Sequence, residues 1–405
     1  MIMKALTKIS NGFLSLVAVA LWFTSCSSED VASGTNQGKM SSLTLSINTG
    51  KSMGSRATAW TTDPAGPDKT QTENKINRLT VGIFSSDGST VKTIVELTPG
   101  QSNGNTLSAD GTTATIVTSS LAANDKVLVA VNAPTGKFAS VANTTAFYAV
   151  EEDAKDALTN GSSEATEIAT NVPMFGENTL SGSGSAFSAN VSVQHQLAKI
   201  TLDDLEVAFD VNGPYKDAEF TPTDFFLVNV PEKLAFSSGA WVNAASHFHG
   251  MSSTTYSSLT AAPNWGTYKE YLSSAATGST ALKGTSAKYA SAAYFYVTPS
   301  DDDTADGKMK LIIAGTFKTN SSDGGTTVFY PVAINANYAA DGTPSAATNG
   351  GADVFKVYPN KNYKCKVVIK TIGTKDPTKN LDPQTATVTV TVTDFVEASQ
   401  TTTFE

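Results

Sequence analysis

The sequence predicts an all-β protein of two β-sandwich domains that follow an N-terminal leader. Three observations support this prediction. Thr alternates with Val or Ile along many short segments, which is the pattern of strands with one solvated face. Turn signals such as Asp-Gly separate these segments. The length of 405 residues exceeds that of one ordinary domain, and a hydrophobic share of 40% excludes a wholly disordered chain.

Residues 1–25 are predicted to be a lipoprotein signal peptide. Two lysines precede an uncharged run, residues 13–23, that is too short to span a bilayer. Thr24-Ser-Cys26 at its end resembles a bacterial lipobox, in which Cys26 becomes the lipidated first residue. Residues 27–30 resemble the acidic tag that directs Bacteroidetes lipoproteins to the cell surface. The alternative is an ordinary signal peptide in which the cysteine is incidental.

Residues 40 to 48 have the strict alternation of a half-buried strand. Ser, Thr and Asn occupy one face of this strand. The apolar side chains that share the other face are Leu43, Leu45 and Ile47.

A Gly/Ser-rich stretch that contains Arg56 follows this strand. Small polar loops are favoured sites of proteolysis, so an arginine-specific protease is expected to cut between Arg56 and Ala57. Such a cut would separate the strand at residues 40 to 48 from the rest of the chain. The alternative is a simple tether that contains the first strand of the domain.

The remaining sequence is divided into an N-terminal sandwich, residues 57–200, and a C-terminal sandwich, residues 201–405. The run from 187 to 209 is too long for one strand and is expected to cross between them. Apolar residues at helical spacing predict one surface helix over residues 144–159. The irregular region 237–286 is interpreted as insertion loops. The predicted strands are 76–84, 92–97, 113–117, 126–131, 224–230, 292–297, 309–317, 327–335, 362–371 and 386–393.

Little in the sequence favours catalysis, metal binding or nucleic-acid binding. A net charge of −9 argues against a nucleic-acid surface. His247 and His249 have metal-like spacing, but no cluster of further ligands completes a site. Residues 301–303 are acidic and lack the order of a calcium loop. Cys365 lies in a strand-like run and is interpreted as a buried structural thiol. We therefore expect no enzyme activity, no metal and no cofactor.

The lipobox at Cys26 and five further segments together resemble the Bacteroidales fimbrillins, the FimA-type major fimbrial subunits and their relatives. The first is the strand before Arg56. The others are Val172-Pro-Met-Phe-Gly176, Gln196-Leu-Ala-Lys-Ile200, Tyr294-Phe-Tyr-Val-Thr-Pro299 and the run from Tyr358 to Val367. Their order and spacing, rather than any single motif, carry the resemblance.

The resemblance implies two transthyretin-like β-sandwich domains and export as a lipoprotein. It also implies that residues 26–56 are a lipidated propeptide with a removable strand, so that proteolysis after Arg56 removes the lipid and the first strand together. The groove that is left would expose apolar side chains and unpaired backbone groups to water. A C-terminal strand of the next subunit would then fill this groove by strand addition.

The C-terminus supplies a candidate donor strand. Residues 385–393 alternate strictly between Thr and apolar residues, and a tail without Pro or Gly follows. The apolar residues assigned to the donor are Val388, Val390, Val392, Phe395 and Val396.

The sequence thus favours a structural pilus subunit that supports adhesion, first as an outer-membrane lipoprotein precursor and then in a cell-surface fimbrium. The expected partners are other copies, accessory pilus subunits, an arginine-specific protease and host or bacterial surface ligands. The outer membrane is a partner of the precursor through its lipid, and nucleic acid is not expected. The alternative is a monomeric surface lipoprotein adhesin or glycan binder, in which exposed Trp241 and Trp265 form a sugar platform.

Overall fold

The computed structural model describes residues 40–49, 72–153, 171–237, 241–242, 246–257, 265–278, 280–290, 293–338, 343–347, 353–379 and 386–394. All of these residues lie in one compact unit, Lys39–Glu405. Strands make up nearly all of the regular structure, so the predicted all-β class is confirmed. No helix in the described ranges is long and apolar enough to cross a membrane.

The strands before residue 196 form two five-stranded sheets. They are β1 (Met40–Asn48), β2 (Leu79–Phe84), β3 (Val91–Leu97), β4 (Thr106–Leu107), β5 (Thr113–Ser119), β6 (Lys126–Val131), β7 (Glu151–Asp153), β8 (Met174–Thr179), β9 (Ser181–Ser183), β10 (Ala186–Ser192) and β11 (Gln194–His195). The first sheet has the order β4-β5-β1-β10-β9. The second sheet has the order β11-β8-β6-β2-β3, and β7 lies outside both.

The strands after residue 197 form a second pair of large sheets and several small ones. They are β12 (Ala198–Val207), β13 (Glu219–Val228), β14 (Val230–Pro231), β15 (Lys233–Ala235), β16 (His247–His249), β17 (Thr267–Tyr268), β18 (Ser273–Ala275), β19 (Leu282–Lys283), β20 (Ala287–Lys288), β21 (Ala293–Val297), β22 (Lys310–Lys318), β23 (Thr326–Ala333), β24 (Asn337–Tyr338), β25 (Pro344–Ser345), β26 (Lys361–Ile369) and β27 (Ala386–Asp394). The third sheet has the order β20-β12-β26-β27, with β21 also on β12. The fourth sheet has the order β18-β13-β22-β23, with β19 also on β13.

The long run predicted to cross the molecule is divided into β10, β11 and β12. The first two strands of this run belong to the first and second sheets, and β12 belongs to the third. The change of sheet therefore falls between His195 and Ala198. The domain limits at residues 200 and 201 stay a prediction.

The predicted helix over residues 144–159 is wrong in its length. Helix α1 spans only Thr144–Tyr148, and the Asn143 side chain caps it by accepting a hydrogen bond from the Ala146 amide at 2.8 Å. The chain then becomes extended as β7, which pairs with β15. A helix this short is not stable alone, and sheet pairing satisfies the following backbone groups instead. The residues whose helical spacing suggested this helix are Phe147, Val150, Ala154 and Leu158, and the last two lie outside the described residues.

The second sheet is buried on both faces, whereas the first sheet has one solvated face. One core cluster joins residues of the first sheet with alternate residues of β2, β6 and β8. The opposite face of the second sheet packs into a larger cluster that continues into the third and fourth sheets. In β2 every residue is consequently buried. The strands of the first sheet instead alternate between buried and exposed residues, as β1 and β10 do.

A buried polar cluster links the start of the second sheet to the third sheet. Glu73, in a 3-10 helix that spans Thr72–Asn74, pairs with Lys199 of β12 at 3.2 Å. The hydroxyl of Tyr296, on β21, donates a hydrogen bond to the same carboxylate oxygen. The side chains of Glu73 and Lys199 are 4% and 1% exposed, respectively. His195 also contacts this turn, because its Nε2 lies 3.0 Å from the Glu73 carbonyl oxygen.

We predict that Glu73→Gln will lower the free energy of unfolding by about 3 kcal/mol, because it removes a carboxylate that balances a buried ammonium group. Urea unfolding followed by tryptophan fluorescence measures this change. The matched control is Glu151→Gln, whose partner Lys233 lies 3.6 Å away in an exposed pair. This control should change stability by about 1 kcal/mol or less. Equal effects of the two substitutions would show that the buried pair does not stabilise the fold.

Candidate functional site

Strand β1 lies in the centre of the first sheet. It pairs antiparallel with β5 and parallel with β10. Its ends are joined to the neighbouring strands by backbone hydrogen bonds: the Ser42 amide donates to the Ser185 carbonyl at 2.8 Å, and the Ile47 amide donates to the Thr112 carbonyl at 2.7 Å. The alternating sequence of residues 40–48 therefore forms the strand that was predicted, with the same limits.

One face of β1 is part of the sandwich core. Leu43 and Leu45 are fully buried and Ile47 is 5% exposed, whereas Thr44 and Ser46 face solvent. Burying a side chain of this size contributes about 1.5–3 kcal/mol, so the three together contribute roughly 5–9 kcal/mol. These side chains fill a slot between β5 and β10. We call this slot the β1 groove.

The residues predicted to be processed cannot be placed. Cys26, Arg56 and Ala57 lie outside the described residues, and the structure resumes at Thr72 after Thr49. The sequence contains one other arginine, Arg78.

Arg78 is held at the start of β2 by contacts with Asn132. Its amide donates to the Asn132 side chain at 3.3 Å, and its carbonyl accepts from the Asn132 amide at 2.9 Å. Proteases need a segment that can leave such hydrogen bonds and extend into the enzyme. In the folded chain Arg78 is consequently a poor substrate for an arginine-specific protease.

Strand β27, the described part of the predicted donor, lies in the chain's own third sheet. It pairs antiparallel with β26, and Val388 and Val390 are buried in the large core cluster. In the described structure these two valines therefore pack in their own domain, and their assignment to a donor strand stays a prediction. The side chain of Val392 and all of Phe395 and Val396 lie outside the description.

The open edge of β27 is covered at one point by Asn337. The Asn337 side chain donates to the Val390 carbonyl at 3.2 Å and accepts from the Val390 amide at 2.6 Å. Both backbone groups of Val390 thus point away from β26. Val390 and its partner Cys365 consequently form a non-hydrogen-bonded pair, in which opposite side chains approach most closely.

Strands β1 and β27 have the same chemical pattern. Leu43-Thr-Leu-Ser-Ile-Asn48 and Val388-Thr-Val-Thr-Val-Thr393 both alternate one aliphatic residue with one hydroxyl or amide residue. Neither segment contains a charge, Gly or Pro. Each can place three aliphatic side chains on one face of a sheet and leave polar side chains on the other.

The residues considered for catalysis or metal binding have surroundings that indicate a structural role. Cys365 is a buried free thiol, and burial raises its pKa to about 12. Burial also lowers the pKa of His249, whose Nδ1 accepts a hydrogen bond from the Met251 amide at 3.2 Å. Within the described ranges no cluster of His, Cys, Asp and Glu is suited to a metal ion. The side chain of Asp302 accepts a hydrogen bond from the Thr304 amide, as in a solvated turn.

The two tryptophans assigned to a sugar platform both make contacts within the fold, and the expected exposure of Trp265 is wrong. Trp265 is 6% exposed and packs in a third core cluster on the fourth sheet. The Trp241 indole donates to the Val357 carbonyl at 3.2 Å, and its ring packs against Tyr358 at 5.0 Å. Trp265 therefore lies in a core, and the half-buried Trp241 is held against the fold by these two contacts.

Sequence reasoning missed the Glu73–Lys199 pair. Lys199 lies within Gln196-Leu-Ala-Lys-Ile200, which carries part of the family resemblance, so a lysine inside an otherwise apolar segment was the available signal. Its partner is 126 residues away in sequence, and nothing local identifies a long-range ion pair.

Comparison with known proteins agrees with this fold. A family model described as major fimbrial subunit protein (FimA) matches residues 41–199. No curated protein sequence matches the chain. The solved fimbrilin FimA of Porphyromonas gingivalis superimposes with a TM-score of 0.57 at 17% identity, covering 89% of this chain and 99% of the fimbrilin.

Two further solved structures are similar over nearly the whole chain. A candidate cell adhesion protein from Bacteroides eggerthii has a TM-score of 0.55 at 23% identity, covering 89% of this chain and 98% of its own. One from Parabacteroides distasonis has a TM-score of 0.58 at 14% identity, covering 88% and 99%. At these identities the structures establish the shared fold. The predicted resemblance to the fimbrillin family is confirmed, with residues 41–199 matching the FimA major fimbrial subunit.

Proposed function

We propose that this chain is a structural subunit of a surface pilus, made as a lipoprotein precursor that becomes able to polymerise when it is cut after Arg56. The observation that carries the proposal is the position of β1. It is the first described strand of the chain, yet it lies in the middle of a sheet. A central strand at the start of a chain can be removed without breaking any connection between the other strands.

Cleavage after Arg56 would turn β1 from a covalently attached strand into a bound peptide. Before the cut, a strand that leaves the groove stays close by and returns, because the linker keeps its effective concentration high. After the cut, a released strand diffuses away. The proteolytic step therefore makes the groove available without any change to its walls.

The empty groove would then require a replacement strand. Its two sides, β5 and β10, would each present unpaired backbone groups, and the core positions of three aliphatic side chains would be open. We assign the donor to Val388, Val390, Val392, Phe395 and Val396 of another copy. The pattern that β27 shares with β1 supports this assignment. Repeated head to tail, such a contact does not close and produces a filament.

The donor must first leave its own sheet under this proposal. Strand β27 is at the end of the described chain and at the edge of the third sheet, with one ladder of backbone hydrogen bonds, to β26. The two hydrogen bonds from Asn337 and the burial of Val388 and Val390 also hold it there. The cost of opening this ladder would be offset when the strand enters a groove with a ladder on each side. Lipidation at Cys26 would hold the precursor in the outer membrane until cleavage. Accessory pilus subunits and surface ligands would complete the fimbrium.

We predict that Arg56→Ala will give a folded, lipidated precursor that forms no filaments, because β1 stays in its groove. Electron microscopy of cells that carry only this variant measures the filaments, and labelled palmitate measures the lipid. The matched control is Lys51→Ala, which changes a neighbouring basic residue and should leave filaments normal. Cys26→Ala should lose the label. Normal filaments from Arg56→Ala would contradict activation at this site.

We also predict that Val390→Cys will block polymerisation under oxidising conditions. The introduced thiol would face Cys365 across a non-hydrogen-bonded pair. In such a pair the Cα atoms are about 4.5 Å apart, within the range of disulfides. The bond would fix β27 on β26 and keep it from serving as a donor.

Filament length after cleavage, with and without a reducing agent, measures this effect. Reduction should restore assembly, and the matched control Val390→Ser should assemble equally in both conditions. If the oxidised Val390→Cys protein, with its disulfide verified by mass spectrometry, assembles as well as the reduced one, the donor lies after Asp394 and the assignment of β27 is wrong.

A further inference from the structure

The walls of the β1 groove differ along its length. Leu45, at its centre, lies opposite Ala114 of β5 and Ala189 of β10. Both alanines are buried, and both share the inner face of the sheet with Leu45. Directly opposite residues have their Cβ atoms about 4.5–5.5 Å apart, so a methyl group on each side leaves lateral room for the Leu45 side chain. The next large side chain beyond Ala114 is the buried Leu107 of β4, which lies on the other side of β5.

The neighbouring positions of the groove have larger walls. Leu43 lies between Ile116 of β5 and Phe187 of β10, and Ile47 lies beside Val191 of β10. These branched or aromatic side chains occupy the lateral space themselves and can adjust to a smaller neighbour. Two alanines cannot, because they have no side-chain rotamers to change.

We propose that the centre of the groove is a size-selective pocket, formed by Ala114 and Ala189, that requires a leucine-sized side chain. The inference deepens the proposed function, on which it rests, by naming what the groove recognises in an incoming strand. Leu45 is the specificity-determining residue of the removable strand. The small residues of the pocket are as important as the large one that fills it, because a cavity in a close-packed core is costly.

The pocket makes β1 a better occupant than the proposed donor. A strand that places Val388, Val390 and Val392 in the groove has one methylene fewer at each of the three positions. The deficit matters most at the centre, where the walls cannot close. An intact precursor would therefore resist invasion by another copy's strand, and β1 acts as an autoinhibitory strand.

The test measures how fast β1 leaves a nicked, unpolymerised chain. The folded full-length protein is cut with an arginine-specific protease, and release of the β1 fragment is followed by native mass spectrometry. Leu45→Val should speed release about tenfold. Leu43→Val is the matched control, since it removes the same methylene beside larger walls, and it should speed release about fourfold or less.

A second comparison separates pocket shape from general destabilisation. Leu45→Ala alone should release the fragment at least a hundredfold faster than the unchanged strand. Leu45→Ala combined with Ala189→Leu should restore at least a tenth of the original retention time, because the leucine then enters the same space from β10. Equal effects of Leu45→Val and Leu43→Val, or no rescue by Ala189→Leu, would overturn the pocket.

The release assay does not involve assembly. One outcome is that filaments depend on Arg56 cleavage but Leu45→Val and Leu43→Val release the fragment at equal rates. This outcome would support the pilus function and contradict the pocket. If release depends on the size of the side chain at position 45 but the chain never assembles, the pocket would be supported and the pilus function contradicted.

Discussion

The pairing of β1 on both of its edges is the interaction on which the first sheet depends. Strands β4 and β5 lie on one side of β1 and β10 and β9 on the other, and in the described structure β1 joins the two halves. Without it, the sheet would become two separate two-stranded pieces. Such pieces are marginally stable on their own. One nine-residue strand thus decides whether half of the sandwich is a continuous sheet.

The second sheet explains how the rest of the chain can keep its fold when the first sheet is interrupted. It is covered on its far face by the large core cluster, where Phe84, Phe138 and Phe147 pack together. The buried Glu73–Lys199 pair adds a polar contact to the third sheet. None of these contacts involves β1. The second sheet, one face of which borders the groove, is therefore stabilised by the core that packs against its other face.

Much of this fold could be predicted from local patterns. The limits of β1 and β6 follow from alternation and aliphatic runs alone, and the Asp87-Gly88 turn joins β2 to β3, with Gly88 at a φ of 79°. The prediction of a helix extending to residue 159 was wrong because Phe147 and Val150 have helical spacing by chance. Pairing with β15 determines the backbone after residue 150. The short strands β16 to β20 were missed because none is long enough to show alternation.

The candidate site was predictable in part. The alternating strand before Arg56 identified β1, but its central position and the alanines beside Leu45 depend on contacts with segments far away in sequence. The same limit applies to Trp265, which was assigned an exposed role and lies in a core cluster on the fourth sheet. Composition shows that a residue is aromatic or aliphatic. Which surface covers it is decided by the whole topology.

The parallel and antiparallel neighbours of β1 also determine how this strand responds to a mechanical load. Under the proposed lipidation at Cys26, a load between the membrane and the protein would enter the described structure at Met40, the first residue of β1, whose backbone hydrogen bonds run sideways to β5 and β10. Force along a strand stretches all of its lateral hydrogen bonds together, as in a lap joint, whereas force across a strand opens them one after another. Because β1 has a ladder of hydrogen bonds on each edge, the load is divided between two ladders. A load applied along β1 in the proposed precursor would therefore meet the arrangement of a β-sheet that best resists shear.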